Sequence, residues 1–455
     1  MTENALTQAD SSAHSRREDY KRGKRLREAT PREALADFCP PADRDPLAVI
    51  DTTLGDRLAS LRELRLKLMA ESPFAFLRGA ADVMAFDLAH QRAPGVTAQA
   101  CGDCHLMNFG AFLSPEGNVL FDVNDFDETL PQIDIVCDLR RLAASVAVAA
   151  TDMGYSAGEA RKFARRGVRA YRERMLELAV MSPMEIWNVR VRLRELLRFL
   201  SDRVLHDRLS AAIYAGKGPQ DRIDGLPKIA RTQDGWRFVE KPPKLVHLDK
   251  MSDPEARIDL GALFARLIAG GLQEPVATLL KRYRLCDTAF KAVGVGSVGT
   301  FCAIGLFISE DEQPLALQVK EAKASVLERF GFARWPGSQG KRVTAGQRVM
   351  QAASDIFLAS VDDPEADGRF YLRHLKTRRL GSISELLKDQ AFPRYVELCG
   401  YTLARAHARS SRPARLAGYM GKGEAFDDAL ASFAMLYAQQ TQNDLAVFRT
   451  AYGAA

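Results

Sequence analysis

Cysteine is scarce and unpatterned in this chain. Its seven residues, at positions 39, 101, 104, 137, 286, 302 and 399, are odd in number and follow no framework spacing. That excludes a disulfide-stapled secreted scaffold and points to a reducing compartment. Long apolar runs are missing too: the longest candidate, 142–150, is too short to span a bilayer and follows Arg140 and Arg141 directly. Residues 1–32 hold no apolar leader core, so the expectation is a cytoplasmic protein with no membrane partner. No internal repeat or low-complexity tract occurs. The one strongly basic segment, with Arg16, Arg17, Lys21, Arg22, Lys24, Arg25 and Arg27, lacks the interleaved aromatics that stack on bases, which argues against nucleic acid as a partner.

What is present suits a large soluble enzyme or binding protein. A length of 455 residues with 47% hydrophobic and 27% charged content is enough for two or three lobes around a sizeable core. The formal charge of +6 is modest for that length and fits a small anionic ligand such as a nucleotide. Residues 1–45 read as a basic polar N-terminal arm, solvated or frayed. Residues 46–284 read as mainly helical, with a break at Ser72-Pro73 and a β-hairpin at 109–113 and 119–121 around Ser114-Pro115-Glu116-Gly117-Asn118. A helix is expected from 135 to 150, and a loop with a short strand near 236–247. Residues 285–380 are β-rich, with strands in 293–307 and 314–320, helical patterns at 321–330 and 343–354, and a hairpin pairing 356–360 with 370–375. Residues 381–455 return to helix.

Two groups of residues carry chemistry. Asp103 and Asn108 have the Asp-x-x-x-x-Asn spacing of a kinase catalytic loop, in which the carboxylate addresses the acceptor hydroxyl and the amide oxygen holds metal. Asp125-Phe126-Asp127 follows the hairpin, where a metal-binding aspartate belongs, and Asp122 competes for that role at the strand end. Phe121, Val123 and Phe126 interleave with these acids, so the stretch reads as a partly buried acidic site that needs a cation, for which Mg²⁺ is the candidate.

The second group is Gly294-Val295-Gly296-Ser297-Val298-Gly299, a Gly-x-Gly-x-x-Gly run followed by a strand-like segment. A dinucleotide fold would open a helix there; strand, glycine turn and strand is instead the kinase arrangement over ATP phosphates. Lys320 ends the next strand-like run, where a kinase places its phosphate-binding lysine. The helical stretch at 343–354 contains no Glu to pair with it, so Glu328, Glu321 or Gln351 would have to substitute. Arg78 and His407 are secondary candidates, Arg78 for a phosphate contact or a structural salt bridge.

Cys101-x-x-Cys104-His105 also spells the covalent haem pattern, a remote alternative that would make this a haem or redox protein. No export signal supports it, and no second Cys-x-x-Cys supports zinc.

Several segments together carry a family resemblance: Ser72-Pro73-Phe74-Ala75-Phe76-Leu77-Arg78-Gly79, Cys101-Gly102-Asp103-Cys104-His105-Leu106-Met107-Asn108, Asn124-Asp125-Phe126-Asp127, Asp138-Leu139-Arg140-Arg141 and Ala404-Arg405-Ala406-His407. Over nearly its whole length the chain resembles the uncharacterised bacterial family known as domain of unknown function 2252. Gly102-Asp103-x-His105-x-x-Asn108 is also similar to the His-Gly-Asp-x-His-x-x-Asn loop of aminoglycoside phosphotransferases and choline kinases, with Cys101 in place of the leading His. That likeness implies Asp103 as catalytic base, His105 as a residue shaping the loop, and Asn108 and Asp125 as metal ligands. The glycine run and Lys320 follow the catalytic loop instead of preceding it. The implied fold is therefore α+β: a two-lobed, protein-kinase-like architecture, circularly permuted, with a small β-rich lobe and a larger helical lobe. The implied function is ATP- and Mg-dependent phosphoryl transfer to a hydroxyl of an unidentified small molecule or protein. A nucleotide-binding pseudokinase without turnover is the alternative.

Overall fold

The structure, a computed structural model, describes residues 15–56, 58–192, 207, 226–233, 235–251, 258–292, 299–361, 369–375 and 391–453. Its class is mixed α+β. The strands are β1 (Thr97–Ala100), β2 (Phe109–Leu113), β3 (Val119–Val123), β4 (Leu130–Asp134), β5 (Ile229–Thr232), β6 (Gly235–Phe238), β7 (Leu245–Val246), β8 (Tyr283–Lys291), β9 (Cys302–Ser309), β10 (Pro314–Glu321), β11 (Ala359–Ser360) and β12 (Phe370–His374).

Six of these make one antiparallel sheet in the order β11-β12-β10-β9-β8-β7. Strand β9 is apolar throughout because both faces are covered. Alternation sends Ala303 and Phe307 towards Phe264, Phe290 and Phe301, and Ile304, Leu306 and Ile308 towards Phe238 and Leu245. The same alternation on β10 buries Leu317 and Val319 in the first cluster and leaves Gln318 and Lys320 on the opposite face. Lys320 pairs in register with Cys302 and Tyr371. The expected 109–121 hairpin is present as β2 and β3. Strands β11 and β12 pair as expected, and the acidic turn between them lies outside the described residues.

The larger core belongs to the helices. Helix Ile135–Asp152 is apolar on nearly all sides and buried through most of its length. It packs with helices Ala157–Leu178, Phe392–Ala408 and Ala425–Tyr452. The helical reading of 54–92 resolves into short helices, and Ser72 caps helix Pro73–Gly79 by accepting from Ala75 N, with Pro73 in its first turn. Among the described residues, no helix is long and apolar enough to cross a membrane.

The basic N-terminal segment is not a solvated arm. Residues Arg16–Ala29 form a helix, closed by a capping box between Ser15 and Glu18. It docks on helix Pro413–Met420, where a Cβ at Gly23 would collide with the Arg415 carbonyl. Asp19 is buried between Arg412 and Arg415, at 3.2 and 3.1 Å. The charge run masked a docking face of Asp19, Gly23 and Leu26, which recur at helical spacing.

At the far edge of the sheet, His247 is clasped on both ring nitrogens: Nδ1 lies 2.8 Å from Glu240 and Nε2 3.0 Å from Asp287. Burial lowers its pKa, but the two carboxylates outweigh burial and raise it above the ordinary 6.5. A raised histidine stabilises fully below its unfolded-state pKa, and that contribution fades as pH rises through the folded value. The melting-temperature gap between wild type and His247→Gln is therefore expected to be widest near pH 6 and to shrink towards pH 9, by roughly the range over which such a histidine titrates. A gap that does not change with pH would contradict the reading.

Candidate functional site

The loop after β1 is built from behind by helix Ile135–Asp152. The Asp138 carboxylate accepts hydrogen bonds from Cys101 N (2.7 Å) and Gly102 N (2.9 Å). Gly102 has φ +87, and a Cβ there would strike the Glu128 carbonyl, so only glycine fits without displacing that chain. One helical turn beyond Asp138, Arg141 donates through Nε to Asp103 Oδ1 at 2.8 Å. Burial would raise the Asp103 pKa, but Arg141, His105 and Arg78 hold it below the usual carboxylate range. Asp103 is thus ionised, and suited to orienting a hydroxyl.

His105 Nδ1 accepts from Met107 N at 3.1 Å and caps the turn Leu106–Asn108. The remaining nitrogen, Nε2, carries the proton in the neutral ring and lies 3.7 Å from Asp103 Oδ2. Burial depresses the ring to about 3, with Arg78 and Arg141 adding to it against Asp103. His105 is therefore a neutral, shape-setting group. Asn108 spends its amide nitrogen on the Asp103 carbonyl, leaving Oδ1 as the atom for a ligand.

The acidic turn after β3 faces this loop. Asn124 N donates to Asn108 O at 2.7 Å, which ties the two segments together. Asp127 accepts from Tyr371 OH at 2.7 Å and forms an ion pair with Lys320. Burial pushes the Asp127 carboxyl up, but Lys320, Arg373 and Tyr371 bring it to about 2. Asp125 behaves oppositely: burial and the neighbouring Asp127 charge raise it, and Lys320 and Arg373 only partly offset them. Lys320 is almost wholly buried; burial alone would lower its pKa, yet Asp127, Tyr371 and Asp125 raise it. Arg342 fastens the turn to the sheet by donating to the carbonyls of Asp127 (2.7 Å), Thr129 (2.6 Å) and Lys323 (2.8 Å).

Asp103, His105, Asn108, Asp125 and Asp127 all line one cleft of about 1020 Å³, its solvent-open mouth included. Its walls come from three separate parts of the chain. Thr53, Arg65, Arg78 and Asp82 lie before the loop; Thr300 just before β9, Glu321 at the end of β10 and Lys323 just past it form the sheet side. Carboxylates outnumber basic groups along these walls, so a polyanion would need a cation to enter.

The sequence-derived candidates separate in space. Arg78 and Glu321 line the cleft. Asp122 does not: it is fully buried, ion-paired with Arg405, and accepts from Ala352 N at 2.7 Å. His407 is buried between Asp138 and Tyr171. Glu328 is taken by Trp335 N (2.8 Å) and its own helix cap, and Gln351 donates to Val123 O (3.0 Å). Neither reaches Lys320, whose partner is Asp127, a residue considered on sequence only as a metal-site neighbour. Gly294, Gly296 and Ser297 lie outside the described residues. The strands flanking them, β8 and β9, are antiparallel neighbours, and the Gly299 carbonyl accepts from Leu58 N at 2.8 Å.

Sequence reasoning missed Arg141, Tyr371, Arg342 and Glu128. Glu128 lines the cleft; burial pushes its pKa up to about 7 against the opposing Arg342 charge. The one available signal was an Arg pair inside an otherwise apolar helix, since a buried guanidinium requires partners. Cys101 and Cys104 are buried in the helical core. The hydrogen bond with Cys104 lowers the Cys101 thiol, but burial and the surrounding aspartates push it to about 11.

No curated protein and no solved structure matches the chain. A family model described as an uncharacterised protein conserved in bacteria, DUF2252, matches residues 57–451, and the chain belongs to that family.

Proposed function

We propose that this protein is an ATP- and Mg-dependent phosphotransferase acting on a hydroxyl acceptor, with a circularly permuted, protein-kinase-like arrangement. The observation that carries the reading is the Lys320–Asp127 ion pair, which ties the buried sheet lysine to a carboxylate lining the cleft that also holds Asp103, Asn108 and Asp125. Lys320 and Asp127 are 193 residues apart in sequence. In this reading the β10 and β8–β9 side of the cleft takes the phosphates, and the loop side takes the acceptor. The order of the segments along the chain is a permutation of the kinase order, which is tolerable where old termini meet at a surface.

The residues fit magnesium. Among the described residues no group of three or more His, Cys, Asp or Glu converges as a metal cage. Mg²⁺ does not need one, since it takes one or two protein oxygens and completes its shell from water and phosphate. Asn108 Oδ1 and the Asp125 carboxylate would hold it; burial and the Asp127 charge raise the Asp125 pKa, and a cation there would favour its ionised form. The ion, when bound, neutralises phosphate charge. Lys320 adds positive charge from the sheet, Asp103 orients the acceptor oxygen, and Arg141 fixes Asp103. Catalysis is then positioning and electrostatics. The burial of Cys104 in the middle of the core counts against thioether attachment of a porphyrin at the Cys-x-x-Cys-His segment.

Asp103→Asn tests the assignment. ADP release from Mg·ATP is expected to fall by roughly 10²–10⁴-fold, the usual range for a positioned acid–base group, while Mg·ATP affinity stays within about twofold of wild type. The assay uses a panel of sugars, aminoglycosides, small alcohols and protein acceptors. Equal turnover in both proteins would remove Asp103 from the chemistry. A second reading, a nucleotide-binding regulator, is favoured by one feature: Lys320 and Asp103 are each already held by an internal counter-ion. Wild-type binding of Mg·ATP without ADP release for any acceptor would select it.

A further inference from the structure

We infer that Tyr171, His407 and Asp138 form a buried positioning relay that sets the loop bearing Asp103, with His407 acting behind the loop and not in the cleft. The inference rests on the phosphotransferase reading for its catalytic consequence, but its geometry stands independently. Three helices meet here. Tyr171 OH, from helix Ala157–Leu178, lies 3.0 Å from His407 Nδ1, and His407 Nε2, from helix Phe392–Ala408, lies 3.0 Å from Asp138 Oδ2. All three side chains are essentially fully buried.

A carboxylate only accepts, so His407 Nε2–H is the donor to Asp138, and in the neutral ring Nδ1 accepts from the tyrosine hydroxyl. Asp138 then has three donors: His407 Nε2 and the Cys101 N of the loop on Oδ2, and the Gly102 N on Oδ1. Fixing the carboxylate plane fixes the two amides that immediately precede Asp103. From the same helix, Arg141 fixes the Asp103 carboxylate itself. The segment just past His407 holds the other side of the loop: Ser410 Oγ accepts from Gln99 N at 2.8 Å, on β1. Backbone and side chain of the Asp103 loop are thus referenced to one rigid frame, which is the support a reacting group needs to keep its orientation.

Tyr171→Phe removes one hydroxyl and keeps the ring, so it tests the relay with little risk to folding. His407→Gln and Asp138→Asn extend the series. Hydrogen–deuterium exchange of the peptide 99–108 is the first readout and needs no turnover. Its rate is expected to rise about tenfold in Tyr171→Phe, corresponding to one net hydrogen bond, and further in the other two, while peptides from the six-stranded sheet keep wild-type exchange. The second readout is kinetic: kcat is expected to fall at least tenfold with KM for ATP within twofold of wild type. Unchanged exchange in Tyr171→Phe and His407→Gln would overturn the relay. So would a rise in KM for ATP at constant kcat, which would place His407 on the nucleotide. If wild type turns over no acceptor, the phosphotransferase reading fails and the exchange result alone decides the relay.

Discussion

Asp122→Ala is expected to cost about 3–5 kcal/mol of folding stability, the penalty for breaking a buried ion pair by removing one partner. Asp125→Ala, three residues on, is expected to leave the ligand-free fold as stable as wild type or more so. The contrast follows from surroundings. Asp122 and Arg405 have no exposed side-chain surface, and removing the carboxylate strands the guanidinium and the Ala352 N–H together. Burial already lowers the Arg405 pKa, and the Asp122 charge is the first influence opposing it. Asp125 sits instead beside Asp127, where burial and like charge both disfavour its ionisation. Urea unfolding of the two variants measures the difference. A larger loss for Asp125→Ala would exchange the structural and functional roles given to these two aspartates.

Lys320→Met is expected to lower turnover by roughly 10²–10³-fold, the usual effect of deleting one preorganised charge at a phosphoryl or oxyanion site. It should also change the protein's behaviour in acid. The Asp127 pKa is about 2 in the wild type because Lys320 and Arg373 overcome burial. A depressed carboxylate contributes stability above its unfolded pKa of 3.8 and loses it as pH falls through the folded value. Without Lys320 that contribution is reduced, with Arg373 and Tyr371 remaining, so the stability gap between wild type and variant is expected to be full at neutral pH and to narrow between about pH 4 and pH 2. Thermal unfolding across that range reads the gap. A gap unaffected by acid would mean that Asp127 is not the lysine's electrostatic partner.

Much of this architecture could be read from local pattern. Apolar, β-rich runs in 293–307 and 314–320 announced strands, of which 302–307 and 314–320 pair as neighbours, the turn at 114–118 announced the β2–β3 hairpin, and the Asp103–Asn108 spacing identified the loop that lines the cleft. Asp125 was legible as one of two candidates, because two acids so close in sequence differ only in what each one faces. The partner of Lys320 was not legible. A carboxylate on a helix was expected, and Asp127 supplies it from the acidic turn, 193 residues away and beyond any local window. Arg342 was hidden for the same reason: it bonds to backbone carbonyls, and carbonyls carry no sequence signature. The N-terminal helix was obscured by its own charge, although Asp19, Gly23 and Leu26 share one face.

The central claim is that the cleft lined by the loop acids, one of them paired with the sheet lysine, receives Mg·ATP. Melting of the full chain with and without saturating Mg·ATP, in wild type, Asp125→Ala and Lys320→Ala, tests it most directly. Wild type is expected to gain roughly 2–4 kcal/mol, as mass action gives at about a hundred to a thousand times Kd, and neither variant is expected to gain more than a small fraction of that. An equal gain in all three proteins, or no gain in wild type, would contradict the account.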